Sequence, residues 1–157
     1  MKRKLMILLT VVSMAFLFIA CGGKSSPVEF ELSDVTAKAG ETVAVEIFIN
    51  STVESNAVAL YEFTYDADVL EIVSLANLGD VGAKSIFGET GLDQTKKTVS
   101  VALMEAEKLN GKICEILFKV KDGAKAGSTE VSMTAVVKNG TTAINAVVKA
   151  GTVTVAG

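Results

Sequence analysis

The stretch that decides the fold, residues 111–121, reads Gly-Lys-Ile-Cys-Glu-Ile-Leu-Phe-Lys-Val-Lys. Apolar side chains recur here at every second position, which is the period of a β-strand with one buried face. The predicted buried face consists of Cys114, Ile116, Phe118 and Val120. Short Val-, Ile-, Phe- and Thr-rich runs of the same period fill the chain after Pro27, separated by Gly, Asn, Asp and Lys. The pattern predicts an all-β protein, an antiparallel β-sandwich with jelly-roll topology and about nine strands.

The runs give each expected strand a position. The expected strands are residues 28–32, 42–50, 58–65, 70–75, 98–105, 112–121, 130–137 and 147–155, with a weaker one at 84–87. Helix is a minor alternative only in residues 100–108 and 142–149, because their Ala, Met and Glu content suits either state.

The first twenty residues have the composition of an export signal. A basic start at residues 2–4 precedes the uncharged residues 5–20, and this apolar run is shorter than the roughly 20 residues that span a bilayer. Phe18-Ile19-Ala20-Cys21 resembles the lipobox of bacterial lipoproteins, in which the cysteine is acylated and the preceding peptide is removed. An uncleaved anchor and an ordinary signal peptide with a chance cysteine are the alternatives.

These features predict the organisation of the whole chain. We expect a lipoprotein signal peptide at 1–20, a lipidated tether at 21–27 beginning with Cys21, and one domain at 28–157. The protein would then lie in the cell envelope, anchored to the membrane by its lipid, with the domain outside the cytoplasm.

Composition excludes several classes of function. Without the three basic residues at 2–4, the predicted mature chain keeps 12 of the 15 basic residues against 18 acidic ones, a formal charge of −6, so nucleic acid is not an expected partner. The chain has no histidine, the commonest metal ligand and general base, so we expect no metal, no cofactor and no catalysis. Asp66 and Asp68 are expected to organise a turn, and Cys114 to be an inert core residue.

Five segments follow one another in a distinctive order. The most specific is Phe63-Thr64-Tyr65-Asp66-Ala67-Asp68-Val69-Leu70-Glu71-Ile72-Val73-Ser74, and the others are residues 37–45, 111–121, 124–127 and 150–155. Together they resemble the cohesin domain, the receptor half of cohesin–dockerin pairs, although the family usually has proline where Ala67 stands. The resemblance covers residues 28–155 and implies a jelly-roll fold and a dockerin-bearing partner that takes part in polysaccharide degradation.

Alternation and the resemblance together suggest a docking face. With Tyr61, Phe63 and Tyr65 turned inward, the outward side chains of the third long strand would be Val58, Leu60 and Glu62. In the strand at 98–105, with Val99, Val101 and Leu103 turned inward, the outward side chains would be Ser100, Ala102 and Met104. The resemblance implies that this face binds the dockerin, although the family often has Asn and Asp where Val58 and Leu60 stand. The alternatives are that the loop at residues 78–94 covers these residues or that they are tolerated singly on the surface.

Two other functions stay open. A carbohydrate-binding module shares the jelly-roll architecture, but such modules usually need exposed aromatic rings, and this chain has no tryptophan. A solitary envelope domain with a structural or adhesive role needs no dockerin partner.

Overall fold

The computed structural model describes residues 26–76, 79, 81, 86–90 and 98–157. Within these ranges the chain forms twelve β-strands and no helix. In chain order they are β1 (Val28–Leu32), β2 (Val35–Lys38), β3 (Thr42–Ser51), β4 (Ser55–Thr64), β5 (Leu70–Ala76), β6 (Ile86–Thr90), β7 (Thr98–Glu107), β8 (Asn110–Val120), β9 (Gly127–Asn139), β10 (Thr142–Ile144), β11 (Ala146–Lys149) and β12 (Gly151–Ala156).

The strands form two sheets that pack face to face, which confirms the predicted β-sandwich. One sheet has the order β11-β1-β3-β8-β5, and the other has the order β2-β12-β9-β4-β7-β6 with β10 paired to β9. Most pairs are antiparallel, while β11 runs parallel to β1 and β2 runs parallel to β12. Strand β4 is therefore an interior strand, hydrogen-bonded to β9 on one side and to β7 on the other.

The core lies between the sheets and follows from the alternation of apolar residues. The predicted inner face of β8 is confirmed: Cys114, Ile116, Phe118 and Val120 are all fully buried. The ring of Tyr65 meets the ring of Phe118 edge to face, with centroids 5.3 Å apart.

The turn after β4 confirms the role predicted for Asp66. The Asp66 carboxylate accepts a hydrogen bond from the backbone N–H of Asp68 at 2.9 Å, and the Asp66 carbonyl accepts one from Leu70 at 2.8 Å. Lys121 donates to the carbonyl of Ala67 at 2.6 Å, which ties the turn to the end of β8. These contacts give Asp66 a structural role.

Other expectations need correction. The short strands β2 and β10 were not expected, and the predicted strand at 147–155 is two strands, β11 and β12, which belong to different sheets. The helical alternatives at 100–108 and 142–149 are wrong, because both stretches pair into sheets. The weak strand at 84–87 corresponds in part to β6, and residues 84–85 lie outside the described residues. No helix in the described part of the chain could cross a membrane.

Candidate docking surface

The pairing of β4 with β7 shows which side chains face outward on the seven-stranded sheet. Leu60 lies opposite Val99, and Val58 lies opposite Val101. All four side chains are buried, with exposed fractions of 0% for Leu60 and 2% for Val58. The predicted outward position of Val58 and Leu60 is therefore wrong, since both belong to the core.

A β-bulge at Glu62 explains the error. Glu62 has a φ of 52°, and the register between β4 and β9 shifts between Tyr61 and Thr64. Alternation from Phe63 toward the start of β4 assigns the correct face only up to this bulge. The extra residue places every side chain before the bulge on the face opposite to the predicted one. Tyr61 consequently lies on the outward side and is half-buried, whereas Phe63 is buried as expected.

The outer face of β4, β7 and β9 is built from small side chains. We call this face the docking surface; it comprises Ala57, Ala59, Tyr61, Glu62, Ser100, Ala102, Met104, Thr134, Val136 and Lys138. Alanine and serine line a shallow depression at its centre, bordered by Val136 and Lys138. Such low relief allows another backbone or a bulky side chain to approach the sheet closely.

Strand β7 supplies the outward side chains that alternation predicts for it. Ser100 and Ala102 are exposed, and Met104 is 98% exposed. The register explains this exposure: Ala102 pairs with Ala57 while Glu107 pairs with Ser55, so β7 has three more residues here than β4. Met104 lies in this irregular stretch of β7, at one end of the docking surface. A binding role for Ser100, Ala102 and Met104 stays a prediction.

Acidic groups stand at both ends of the docking surface. At the end away from Met104, the Glu62 carboxylate accepts a hydrogen bond of 3.1 Å from Thr134 Oγ1 across the face. At the Met104 end, Glu105 and Lys108 are exposed and Glu107 is partly exposed. Lys138 pairs with Ala57, so it borders the central depression on the side toward this end. The Glu62 end of the surface therefore carries a carboxylate, whereas the Met104 end carries charges of both signs.

The outer face of the five-stranded sheet differs in charge pattern. Lys112 bonds Glu46 at 3.1 Å and Glu115 at 3.5 Å. Lys149 pairs with Glu31, and this hydrogen bond raises the pKa of the lysine. Phe48 and Val147 are partly exposed between these pairs. Opposite charges on this face thus largely pair within the domain.

Two features of the described residues bear on reactivity. They contain no group of three acidic, cysteine or histidine side chains that could hold a metal ion. Burial, with a smaller contribution from the charge of Glu115, raises the pKa of Cys114 to about 12. A thiol with that pKa is protonated at neutral pH and is a poor nucleophile.

Together, these observations describe a β-sandwich with an outer face of small side chains on its seven-stranded sheet. The chain belongs to the cohesin family, since the family model described as cohesin domain matches residues 28–155. A search of curated proteins found no match.

Solved structures show the same fold. The sixth cohesin of scaffoldin B from Acetivibrio cellulolyticus, in complex with a Cel5 dockerin, is 22% identical with a TM-score of 0.68, covering 83% of this chain and 100% of that one. The third ScaB cohesin of R. flavefaciens, in complex with a group 1 dockerin, is 16% identical with a TM-score of 0.70, covering 84% and 96%. A non-cellulosomal cohesin from the archaeon Archaeoglobus fulgidus is 14% identical with a TM-score of 0.66, covering 84% and 93%.

Proposed function

We propose that this domain is a non-catalytic receptor for dockerin-bearing proteins and that it binds them through the docking surface. The observation that carries the proposal is the open outer face of β4, β7 and β9 on a cohesin domain. Small side chains line its centre, with Lys138 at the border, and Met104 is exposed at one end. Interface cores are typically depleted in charge, and methionine is enriched there relative to the rest of the surface.

The backbone of this face favours recognition through side chains. Strand β4 is hydrogen-bonded on both sides, so a partner cannot add a strand along it. A partner element with a stripe of larger apolar side chains can instead fill the depression around Ala57, Ala59 and Ala102. A helix presents such a stripe along one side.

The proposal includes the membrane anchor. The predicted lipid on Cys21 would precede Pro27 by only six residues, a reach of about 20 Å when extended. Ser26 hydrogen-bonds the carbonyl of Asn145, so the chain enters the domain beside β11. A lipid there would hold the domain close to the bilayer, outside the cytoplasm, where it could retain secreted dockerin-bearing enzymes of polysaccharide degradation at the cell envelope.

Direct binding tests the receptor function. Purified residues 24–157 are immobilised, and dockerin domains encoded by the same organism are titrated one by one using biolayer interferometry. Saturable binding of at least one dockerin supports the proposal. Absence of binding across the whole set contradicts it.

A further inference from the structure

The residue of the docking surface with the most unusual backbone is Glu62. It is the one non-glycine residue in the described part of the chain with a positive φ, 52°. Side chains with a Cβ disfavour this left-handed region, and glycine adopts it freely. A glutamate here therefore carries a conformational cost that glycine would relieve, and such strained positions cluster at functional sites.

The bulge gives this glutamate a definite direction. In a regular strand Tyr61 and Glu62 would point to opposite faces, yet here both lie on the outward side, because the extra residue displaces Glu62 from the ladder. The bond from Thr134 Oγ1 uses one carboxylate oxygen, Oε2. An exposed carboxylate is thus held at the edge of a surface whose centre is lined by alanine and serine.

The charges around the surface determine which partner fits. Glu62 stands at one end of the docking surface, and its one lysine, Lys138, pairs with Ala57 toward the other end, where Glu105, Glu107 and Lys108 also lie. Glu62 follows Ser55 by seven positions along β4, and Ser55 pairs with Glu107, so the two ends lie about 20 Å apart. A helix of roughly 13 residues spans that distance.

We propose that Glu62 is a specificity-determining residue. It selects a helical partner segment that carries a lysine or arginine at the end of the partner's apolar stripe nearest to Glu62. This inference rests on the proposed function. The carboxylate is exposed at the edge of the interface. Complementary charge at such a position affects the specificity and the salt dependence of association more than it affects the affinity itself. A partner with an acidic group at that position would be rejected by like-charge repulsion.

The test compares three substitutions of Glu62 with a matched control, using a dockerin that binds the wild-type domain. Glu62→Gln keeps the shape and removes the charge, so affinity at low salt should fall about fivefold or more, and its dependence on salt should weaken. Glu62→Lys should weaken binding further, at least about twentyfold. The control, Glu29→Gln, changes an exposed glutamate of β1 in the other sheet and should alter affinity less than about twofold.

A stability measurement separates recognition from a merely structural role. Glu62→Gly should raise the melting temperature by about 3 °C because the left-handed backbone suits glycine, while dockerin affinity falls as with glutamine. A lower melting temperature would make Glu62 a structural residue and overturn the inference. If dockerin binds the Glu62→Gln variant as tightly as wild type, the inference fails and the receptor function stands. If no dockerin binds the wild-type domain, the proposed function fails and the inference falls with it.

Discussion

Leu60 and Val99 lie directly opposite each other on β4 and β7, and neither side chain is exposed. This pair defines the inner face of the seven-stranded sheet next to the docking surface. Leu60→Ala should therefore lower the free energy of unfolding by about 2–5 kcal/mol, because it removes buried methyl groups and leaves a cavity. Urea unfolding measures the change.

The matched control for Leu60 is Met104, which is 98% exposed. Met104→Ala should change the free energy of unfolding by no more than about 0.5 kcal/mol. If Leu60→Ala were equally mild, the assignment of Leu60 to the core would be wrong.

Cys114 supports a prediction on reactivity and pH. Its pKa is raised to about 12, mainly by burial, above the ordinary value of 9.0. The folded state therefore disfavours the thiolate, so the contribution of Cys114 to stability is fully present below pH 9 and is lost as the pH rises toward 12. Stability should fall less steeply above pH 9 in Cys114→Ala than in wild type, as measured by urea unfolding at several pH values.

Labelling gives an independent check on the same thiol. Cys114 in the native domain should react slowly with a thiol reagent at pH 8 and rapidly in denaturant. Rapid, stoichiometric labelling of the native domain would show that the inner face of β8 is accessible.

Gly151 marks a close approach between backbones at the start of β12. A Cβ added there would lie 2.5 Å from the carbonyl oxygen of Ser33 and 2.9 Å from that of Leu32. Gly151→Ala should destabilise the domain by about 1–3 kcal/mol, because backbone atoms must move. Gly123→Ala is the control, since a Cβ there meets nothing within 4 Å. Equal melting temperatures for the two variants would contradict this packing.

The anchor prediction concerns Cys21, which follows Phe18-Ile19-Ala20. Wild-type protein expressed in a bacterial host should fractionate with membranes and carry an acylated N-terminal cysteine, as shown by mass spectrometry. Cys21→Ser should lack the lipid. An unacylated mature N-terminus in the wild-type protein would exclude lipidation.

The sequence predicts the sandwich and most strands because alternation is a local signal that burial between two sheets enforces. It predicts the outward residues of β7 correctly, since no irregularity interrupts alternation between Val99 and Ala102. It fails on β4, where the bulge falls on a glutamate, a residue type that gives no sign of a left-handed backbone. The short strands β2 and β10 were missed because three or four residues are too few to show a period.

The most direct test of the docking surface substitutes arginine for one alanine on each outer face of the sandwich. Ala102 is exposed at the centre of the docking surface, and Ala44 lies on the outer side of β3 in the other sheet. The affinity of each variant for a dockerin that binds the wild type is measured by isothermal titration calorimetry, alongside its melting temperature. We predict that Ala102→Arg weakens binding at least about a hundredfold, because it fills the depression and introduces an unpaired charge at the centre of the interface, while Ala44→Arg binds as wild type. Unchanged binding by a folded Ala102→Arg variant would contradict the assignment of the docking surface.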